Sequence, residues 1–407
     1  MSPAYHRMPR HIFALLMSLS LGLAQQAAPS AKVGIPDTVG TPVGPLNSGT
    51  DGIISGNQSA PAGYGGQNAN GKSGEFVFAP IPFANQSLGV GAVPLAAYVF
   101  QADSTDKRSQ PSTIGAVGLI ASGGSWGIGG GGTINMRQDR FRTTIFSGYF
   151  DLQYDVFGVG NDAGNEGKSI NVEQTIPVVF AQPLVGFWSG FYVGPRFIWA
   201  KTSSSFDLSE VLPPGLDPQD FQIPLTISSL GFNVQHDRRD VIFYPTRGHF
   251  LQATADYNAR SVGSDRSFNR YQVGINKYIP FGDKHVLALR ASGCGVTGSV
   301  IPFFAYCQFG QQGDNRGYQA GRYRDVAMLA MQAEWRSILW RKIGGTVFFG
   351  VGEVAPDGRS FSWDKVLPSG GLGLRYNLLK QGRLNLRADF AYSNTGFSWS
   401  MGLGEVF

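Results

Sequence analysis

From Glu75 onward, apolar and polar residues alternate with a period of two, the spacing that places side chains on opposite faces of a β-strand. In residues 249–258, Leu251, Ala253, Ala255 and Tyr257 share one face, and Gln252, Thr254, Asp256 and Asn258 share the other. Residues 383–392 repeat the pattern: Leu384, Leu386, Ala388, Phe390 and Tyr392 oppose Arg383, Asn385, Arg387 and Asp389. The last segment sets Phe397, Trp399, Met401, Leu403 and Phe407 against Ser398, Ser400, Gly402 and Gly404.

About sixteen such segments lie between turn signals, near 75–83, 88–102, 111–122, 124–137, 140–156, 168–182, 186–203 and 225–237 in the first half. The second half supplies 247–261, 267–281, 283–295, 324–338, 341–355, 369–379, 382–393 and 396–407. A spacing of about 21 residues suits strands of ~9–11 residues joined by alternating short turns and longer loops. In water the apolar faces would need a second layer, and no amphipathic helical segment is present to supply one. Lipid can cover them. The pattern therefore predicts an all-β protein, a transmembrane antiparallel β-barrel of about sixteen strands, wide enough for a lumen. A soluble sandwich or propeller would need apolar residues on inward faces only, or a repeat of blades, and neither is seen.

Composition sharpens this picture. Glycine accounts for 56 of 407 residues, about twice the ordinary ~7 %, while charged residues make up only 15 % and aromatics 13 %. The glycines keep no three-residue period, which excludes collagen. After the leader, the most continuous apolar stretch runs from Ala92 to Phe100, contains Pro94 and is too short for a membrane helix. The net charge of +5 is mild and dispersed, without a basic cluster, so nucleic acid is not an expected partner.

Residues 1–24 read as a secretory signal peptide. Arg7, Arg10 and His11 form its charged region, Ile12 to Leu21 its apolar region, and Gly22-Leu23-Ala24 a small-x-small cleavage site. Residues 25–74 hold 11 Gly, 5 Pro and one aromatic, Tyr64, too little apolar surface to fold, so a flexible tail is expected there. The barrel domain is then 75–407. The two cysteines, Cys294 and Cys307, either close a disulfide in an oxidising compartment or stand as two thiols. A metal site would need further ligands beside them, and no metal or other cofactor is expected.

Other signals are weaker. Gly127-Ile128-Gly129-Gly130-Gly131-Gly132 has the look of a phosphate loop, but no helix follows it, so small lumen-facing residues are the reading. His236, His249 and His285 come without a nucleophile motif, and an enzyme is not expected.

Two motifs carry more. Asp237-Arg238-Arg239-Asp240-Val241-Ile242-Phe243-Tyr244-Pro245-Thr246-Arg247-Gly248 has the form D-x-R-D-x4-P-x2-G, with Asp237, Arg239, Asp240, Pro245 and Gly248 as its fixed positions. Asp314-Asn315-Arg316-Gly317-Tyr318 lies in the longest late loop, between segments eleven and twelve. Together with the ending Gly402 to Phe407, they resemble the BamA/TamA superfamily of outer-membrane assembly and secretion barrels, the bacterial surface antigen family, over residues ~75–407. The sequence looks like a short form lacking periplasmic POTRA domains.

The resemblance implies that Arg316, Gly317 and Tyr318 form a loop tip folded back into the lumen, the arginine pairing with acidic residues on the wall. Strand parity turns Gln332, Glu334 and Arg336 inward, which makes Glu334 the candidate partner. The family's second wall carboxylate is replaced here by Gly350, and the residue before the arginine is Asn315 rather than Val or Ile. These departures predict a loosely held loop. The resemblance also gives Asp237, Arg239 and Asp240 a structural wall-network role, and makes Gly402 and Phe407 a barrel C-terminal signal.

The implied function is membrane-protein insertion or polypeptide translocation in the outer membrane of a Gram-negative-type bacterium. A seam between the first strand, near Phe76 to Phe83, and the last would open laterally. Pro80 and Pro82 remove donors from the first strand's ladder and suit a weakly paired edge. Expected partners are outer-membrane lipid, unfolded outer-membrane or secreted polypeptide clients, and the barrel assembly machinery for the protein's own insertion. The alternatives are a passive pore or structural barrel without insertase activity, or a surface adhesin or phage receptor.

Overall fold

A computed structural model describes residues 74–103, 105–106, 109–188, 190–206, 223–310, 313–378 and 384–407. The leader and nearly all of the tail read from the sequence lie outside the described residues. The strands are β1 (Gly74–Asn85), β2 (Gly89–Phe100), β3 (Ser112–Ala121), β4 (Trp126–Met136), β5 (Phe141–Phe157) and β6 (Ser169–Trp188). Next come β7 (Phe191–Phe206), β8 (Ile223–Asp237), β9 (Gly248–Asn258), β10 (Phe268–Phe281), β11 (His285–Thr297), β12 (Cys307–Phe309) and β13 (Tyr323–Asp325). The last are β14 (Ala327–Trp340), β15 (Ile343–Ala355), β16 (Leu367–Asn377), β17 (Asn385–Ser393) and β18 (Gly396–Leu403).

Among the described residues, sixteen strands close into an antiparallel barrel in which every strand pairs with its chain neighbours. β12 and β13 are the exception: they pair only with each other, and β11 runs directly against β14 in the wall. Each period-two segment read from the sequence overlaps one of the wall strands, although 186–203 also takes in the last three residues of β6 and 324–338 the last two of β13. Because the count is even, β1 begins and β18 ends at the same rim, here called the terminal end; the other is the loop end. The loop end also carries a short helix, α1 (Asn161–Glu166), between β5 and β6.

Alternation decides what faces out. On β4 and β5, Ile128, Ile145 and Tyr149 are exposed on the outer wall, whereas Phe146 and Phe150 point inward and are buried. The glycine run of β4 makes room for them: a methyl at Gly127 would strike the Phe150 ring at 2.3 Å, and one at Gly129 the Phe146 ring at 2.5 Å. The run is thus a seat for lumen-facing aromatics. These rings join Val172, Ile176, Val178 and Phe180 of β6 in an apolar core inside the barrel. A water-filled lumen would favour polar side chains here; this wall instead packs against the loop that enters the lumen.

The closure is uneven. β1 pairs with β2 along an unbroken ladder from Gly74 to Asn85, but with β18 only through Ala84 opposite Met401 among the described residues. Pro80 and Pro82 lie within β1 and donate nothing to a ladder. The outward rings of Phe76 and Phe78 are about 70 % exposed.

Strand ends depart from the sequence reading at the β6–β7 turn, where β6 runs on to Trp188 and β7 begins only at Phe191, and again at the end of the barrel. The last strand stops at Leu403, and Gly404, at φ +79°, turns the chain away from the wall. Phe407 therefore leaves the outer apolar face on which parity had placed it, and packs inside against Tyr278, Val286 and Ala288. Alternation holds only while a strand continues, and Gly404 ends it.

Backbone amides of β1 and β18 along their shared edge should exchange with solvent at least about tenfold faster than those of β10 and β11. Hydrogen exchange resolved by strand checks this, and equal protection at the two places would contradict the thin seam.

Candidate functional site: a loop arginine held inside the barrel

The loop between β11 and β14 folds back into the barrel and is fixed at several levels. Cys307, which opens the β12–β13 hairpin, is disulfide-bonded to Cys294 on β11, with 5.7 Å between their Cα atoms. Phe309, Tyr318 and Tyr323 pack on one another, with ring centroids 5.2–6.4 Å apart. Helix α1 caps the hairpin from the loop end. Arg322 Nε donates to the Gly164 carbonyl oxygen at 2.9 Å, and the Tyr323 hydroxyl donates to the Asn165 side-chain oxygen at 3.0 Å.

The tip lies against β14–β18. Gly317 has φ +107°, which favours glycine, and a side chain there would crowd Ser369, Ala391 and Ser393. Its carbonyl oxygen accepts from Ser393 Oγ at 2.9 Å. The Tyr318 hydroxyl donates to the Pro368 carbonyl oxygen at 2.6 Å and also meets the Asn394 side chain, at the turn between β17 and β18.

Arg316 is 2 % exposed. Its Nη2 is 2.5 Å from Glu334 Oε2, its Nη1 is 3.4 Å from Asp389 Oδ2, and its Nε donates to Gln332 Oε1 at 2.7 Å. The guanidinium lies over the Phe348 ring, 3.5 Å from the centroid. Structure and parity thus bring Arg316 and Glu334 together. Asp389 was not singled out from the sequence, although its inward parity on β17 marked it as a wall carboxylate.

The cluster is wider than one pair. Glu334 also accepts from Arg336 at 2.6 Å and faces Arg375 at 3.6 Å. Asp389 binds Arg375 at 2.6 Å and Arg387 at 2.9 Å. Glu405, beyond the Gly404 turn, binds Arg375 at 2.9 Å, and Arg336 Nη2 donates to the main-chain oxygen of Phe407 at 2.6 Å. Four guanidiniums and three carboxylates therefore interlock in a buried space. Removing one partner from such a network leaves a buried charge uncompensated and typically costs about 3–5 kcal/mol. Gly402 faces this cluster, where a methyl would lie 2.9 Å from the Arg387 guanidinium.

The expectation of a loose loop is corrected by two contacts. The second carboxylate comes from Asp389, two strands beyond Gly350. The space at Gly350 is also filled: a methyl there would lie 2.2 Å from Asn315 Oδ1. Asn315 is fully buried, accepts from Ser369 Oγ at 2.5 Å and donates to the Leu367 carbonyl oxygen at 3.2 Å. The two departures from the family pattern thus fit each other: an amide on the loop occupies the place of a missing wall side chain. Separated by 35 positions in the sequence, they gave no sign of touching.

The D-x-R-D motif lies apart, at the terminal end. Arg239 grips Asp237 with two hydrogen bonds of 2.9 Å, and its guanidinium lies over Phe250. Arg142 stands 3.9 Å from Asp237, makes a two-point contact with Asp139 and stacks on Tyr192 at 4.0 Å. Asp139 belongs to the β4–β5 turn, where Arg137, Gln138 and Asp139 all adopt positive φ. Asp240 organises the β8–β9 turn by accepting from the amides of Val241, Thr246 and Arg247. Partial burial pushes its carboxyl up, but the Thr246 hydroxyl and these amides outweigh that and hold it below the usual carboxylate range. Pro245 is buried in this turn, and Gly248, at φ +100°, opens β9 so close to the Arg238 carbonyl that no side chain fits.

A closed sixteen-strand barrel with an arginine-tipped loop clamped in its lumen defines the class of the molecule. Residues 217–407 match the model of the Omp85 superfamily domain. The fold is similar to BamA from Haemophilus ducreyi lacking POTRA domains 1–3, at TM-score 0.56 and 13 % identity over 82 % of this chain and 70 % of that one. It is also similar to CdiB from Acinetobacter baumannii (TM-score 0.51, 11 % identity) and CdiB from Escherichia coli (0.52, 10 %). Each of these matches covers 82 % of this chain, but only 59 % and 67 % of the two CdiB chains. No curated protein matches the chain by sequence.

Gly350→Ala should lower the folded barrel's stability by about 1–3 kcal/mol, and Asn315→Ala in the same chain should restore most of the loss. The midpoint of the heat-dependent gel shift of the folded barrel measures both; additive effects would separate the two residues. Reducing Cys294–Cys307 should raise protease cleavage between Gly298 and Tyr306 several-fold, while the Arg316 tip stays protected. Mapping the fragments tests this.

Proposed function

We propose that this chain is an outer-membrane barrel that inserts membrane proteins or moves polypeptides across the membrane, opening at the β1–β18 seam under control of the Arg316 loop. The observation that carries the reading is the position of that loop: its tip is ion-paired to β14 and β17 and hydrogen-bonded to the β17–β18 turn, beside the least-paired strand junction. A small cavity separates tip and seam, lined by Asn85 and Ser87 at the end of β1, Gly317 and Tyr318 of the loop, and Ser398 and Ser400 of β18. A client strand entering there would pair with the free edge of β1, and the loop would set how far β18 can move. The clients would be unfolded outer-membrane or secreted polypeptides, with outer-membrane lipid around the barrel and the assembly machinery inserting it after export on the 1–24 leader. Arg316, Glu334 and Asp389 would hold the closed state; none is assigned catalysis.

The test combines depletion with a locked seam. Depleting the protein should lower outer-membrane protein levels or one secreted client, and wild-type chain should restore them. The Ala84→Cys/Met401→Cys barrel, oxidised across the seam, should fail to restore them until reduced. Normal export after depletion would overturn the reading. In planar bilayers, Arg316→Ala should raise conductance at least about threefold, because loss of a buried partner frees the loop. Large, steady channels unaffected by that change would instead fit a passive pore.

A further inference from the structure

The outer wall of β8–β10 carries an apolar field crossed towards the terminal end by a row of basic side chains. From the loop end towards the terminal end, β9 presents Tyr257, Ala255, Ala253 and Leu251, then His249; β10 presents Tyr271, Val273 and Ile275, then Lys277, with Ile279 and the exposed ring of Phe281 beyond it. β8 presents Leu230, Phe232 and Val234, then His236. Eight residues separate Tyr257 from His249. At ~3.4 Å per residue and a tilt near 40° this is ~20 Å along the barrel axis, close to the ~25 Å apolar band of such barrels. The Tyr257–Tyr271 pair, ring centroids 6.1 Å apart, marks one edge of the band. The histidines mark the other on β8 and β9, while on β10 Phe281, its ring centroid 5.1 Å from that of Trp335, carries apolar surface past Lys277.

That row is built. Lys277 stands opposite His249 in the β9–β10 register and is exposed. His249 Nε2 and His236 Nδ1 are 3.0 Å apart, and Phe191 of β7 flanks His236 with ring centroids 5.9 Å apart. The charges acting on His249 are those of His236, Lys277 and Arg238, and one carboxylate, Asp237. Asp237 is already taken up by the two-point contact with Arg239. The imidazole pair stands where β8 and β9 leave the apolar field, and the long Lys277 side chain can extend to the same level, so their donors turn to the headgroup layer. With one imidazole donating to the other, the pair keeps one outer N–H donor beside Lys277.

We infer that His236, His249 and Lys277 form a binding site for the phosphate of an anionic glycerophospholipid in the leaflet at the terminal end, its acyl chains lying over Phe232, Leu251 and Ile275. The inference rests on the reading that the barrel spans a membrane. The phosphate supplies the negative charge that the protein does not, and the apolar field supplies the surface for the chains.

The experiment uses the full chain in nanodiscs of equimolar phosphatidylglycerol and phosphatidylcholine, followed by native mass spectrometry of the lipid that stays bound. The wild-type chain should retain phosphatidylglycerol preferentially, and His249→Gln/Lys277→Gln should reduce that preference about fivefold, the effect of roughly one basic residue at a membrane surface. Lys277→Arg should keep it. Each chain is first scored for folding by its heat-dependent gel shift. If the double variant does not fold, Lys277→Gln alone, changed on the outer surface, carries the comparison. Equal preference in wild type and variant, or none in wild type, overturns the site. A chain that does not enter the bilayer at all overturns the membrane-spanning reading instead.

Discussion

The buried cluster around Glu334 is the constraint on which the lumen depends. A carboxylate with no exposed surface is tolerable only if guanidiniums surround it, and three do: Arg316 from the loop and Arg336 and Arg375 from the wall. Each of those cations in turn needs acids or oxygens, which draws in Asp389, Glu405 and the main chain at Phe407. The arrangement is cooperative, because removing any one member exposes a mismatch that its neighbours cannot solvate. It also joins parts of the chain that would otherwise be independent. The loop after β11, the strands β14 to β17 and the segment beyond β18 all end on the same charges.

Much of this was legible in the sequence because a strand has only two faces. Parity alone turned Glu334 inward, and the loop motif named Arg316, so their meeting needed only the register between loop and wall. Asp389 was equally visible by parity on β17 but had no motif to distinguish it from other polar wall positions. Asn315 and Gly350 could not be read together: each looked like a weakening, and only three-dimensional contact shows that one fills the other's space. Phe407 was misplaced for a different reason. A period-two pattern carried past Gly404 assigns faces to residues that have left the strand.

The inner apolar wall was the least legible feature. Alternation distinguishes two faces but does not say that both are apolar, and over Ile176–Phe180 of β6 both are. A barrel with a hydrated interior would place polar groups at Phe146, Phe150, Ile176 and Phe180. Their presence makes sense only once the loop hairpin supplies Phe309 and Tyr323 as partners. Lumen and loop therefore form a second core, enclosed by the sheet whose outer face is apolar as well.

The Cys294–Cys307 bond sets a leash on that loop. Arg316 is nine residues from Cys307 and eleven from the start of β14. If its ion pairs broke, a fully extended chain would let the tip travel at most ~30 Å from its anchor, since extended residues span ~3.3–3.6 Å each. That is about the thickness of a bilayer's hydrocarbon core. A released tip could reach either mouth of the barrel and return; reduction would move this anchor back to Thr297 and leave the eleven residues to Ala327 as the shorter tether. The bond thus draws in the tip's reach by the span of two residues, ~7 Å, and holds it from both sides of the loop.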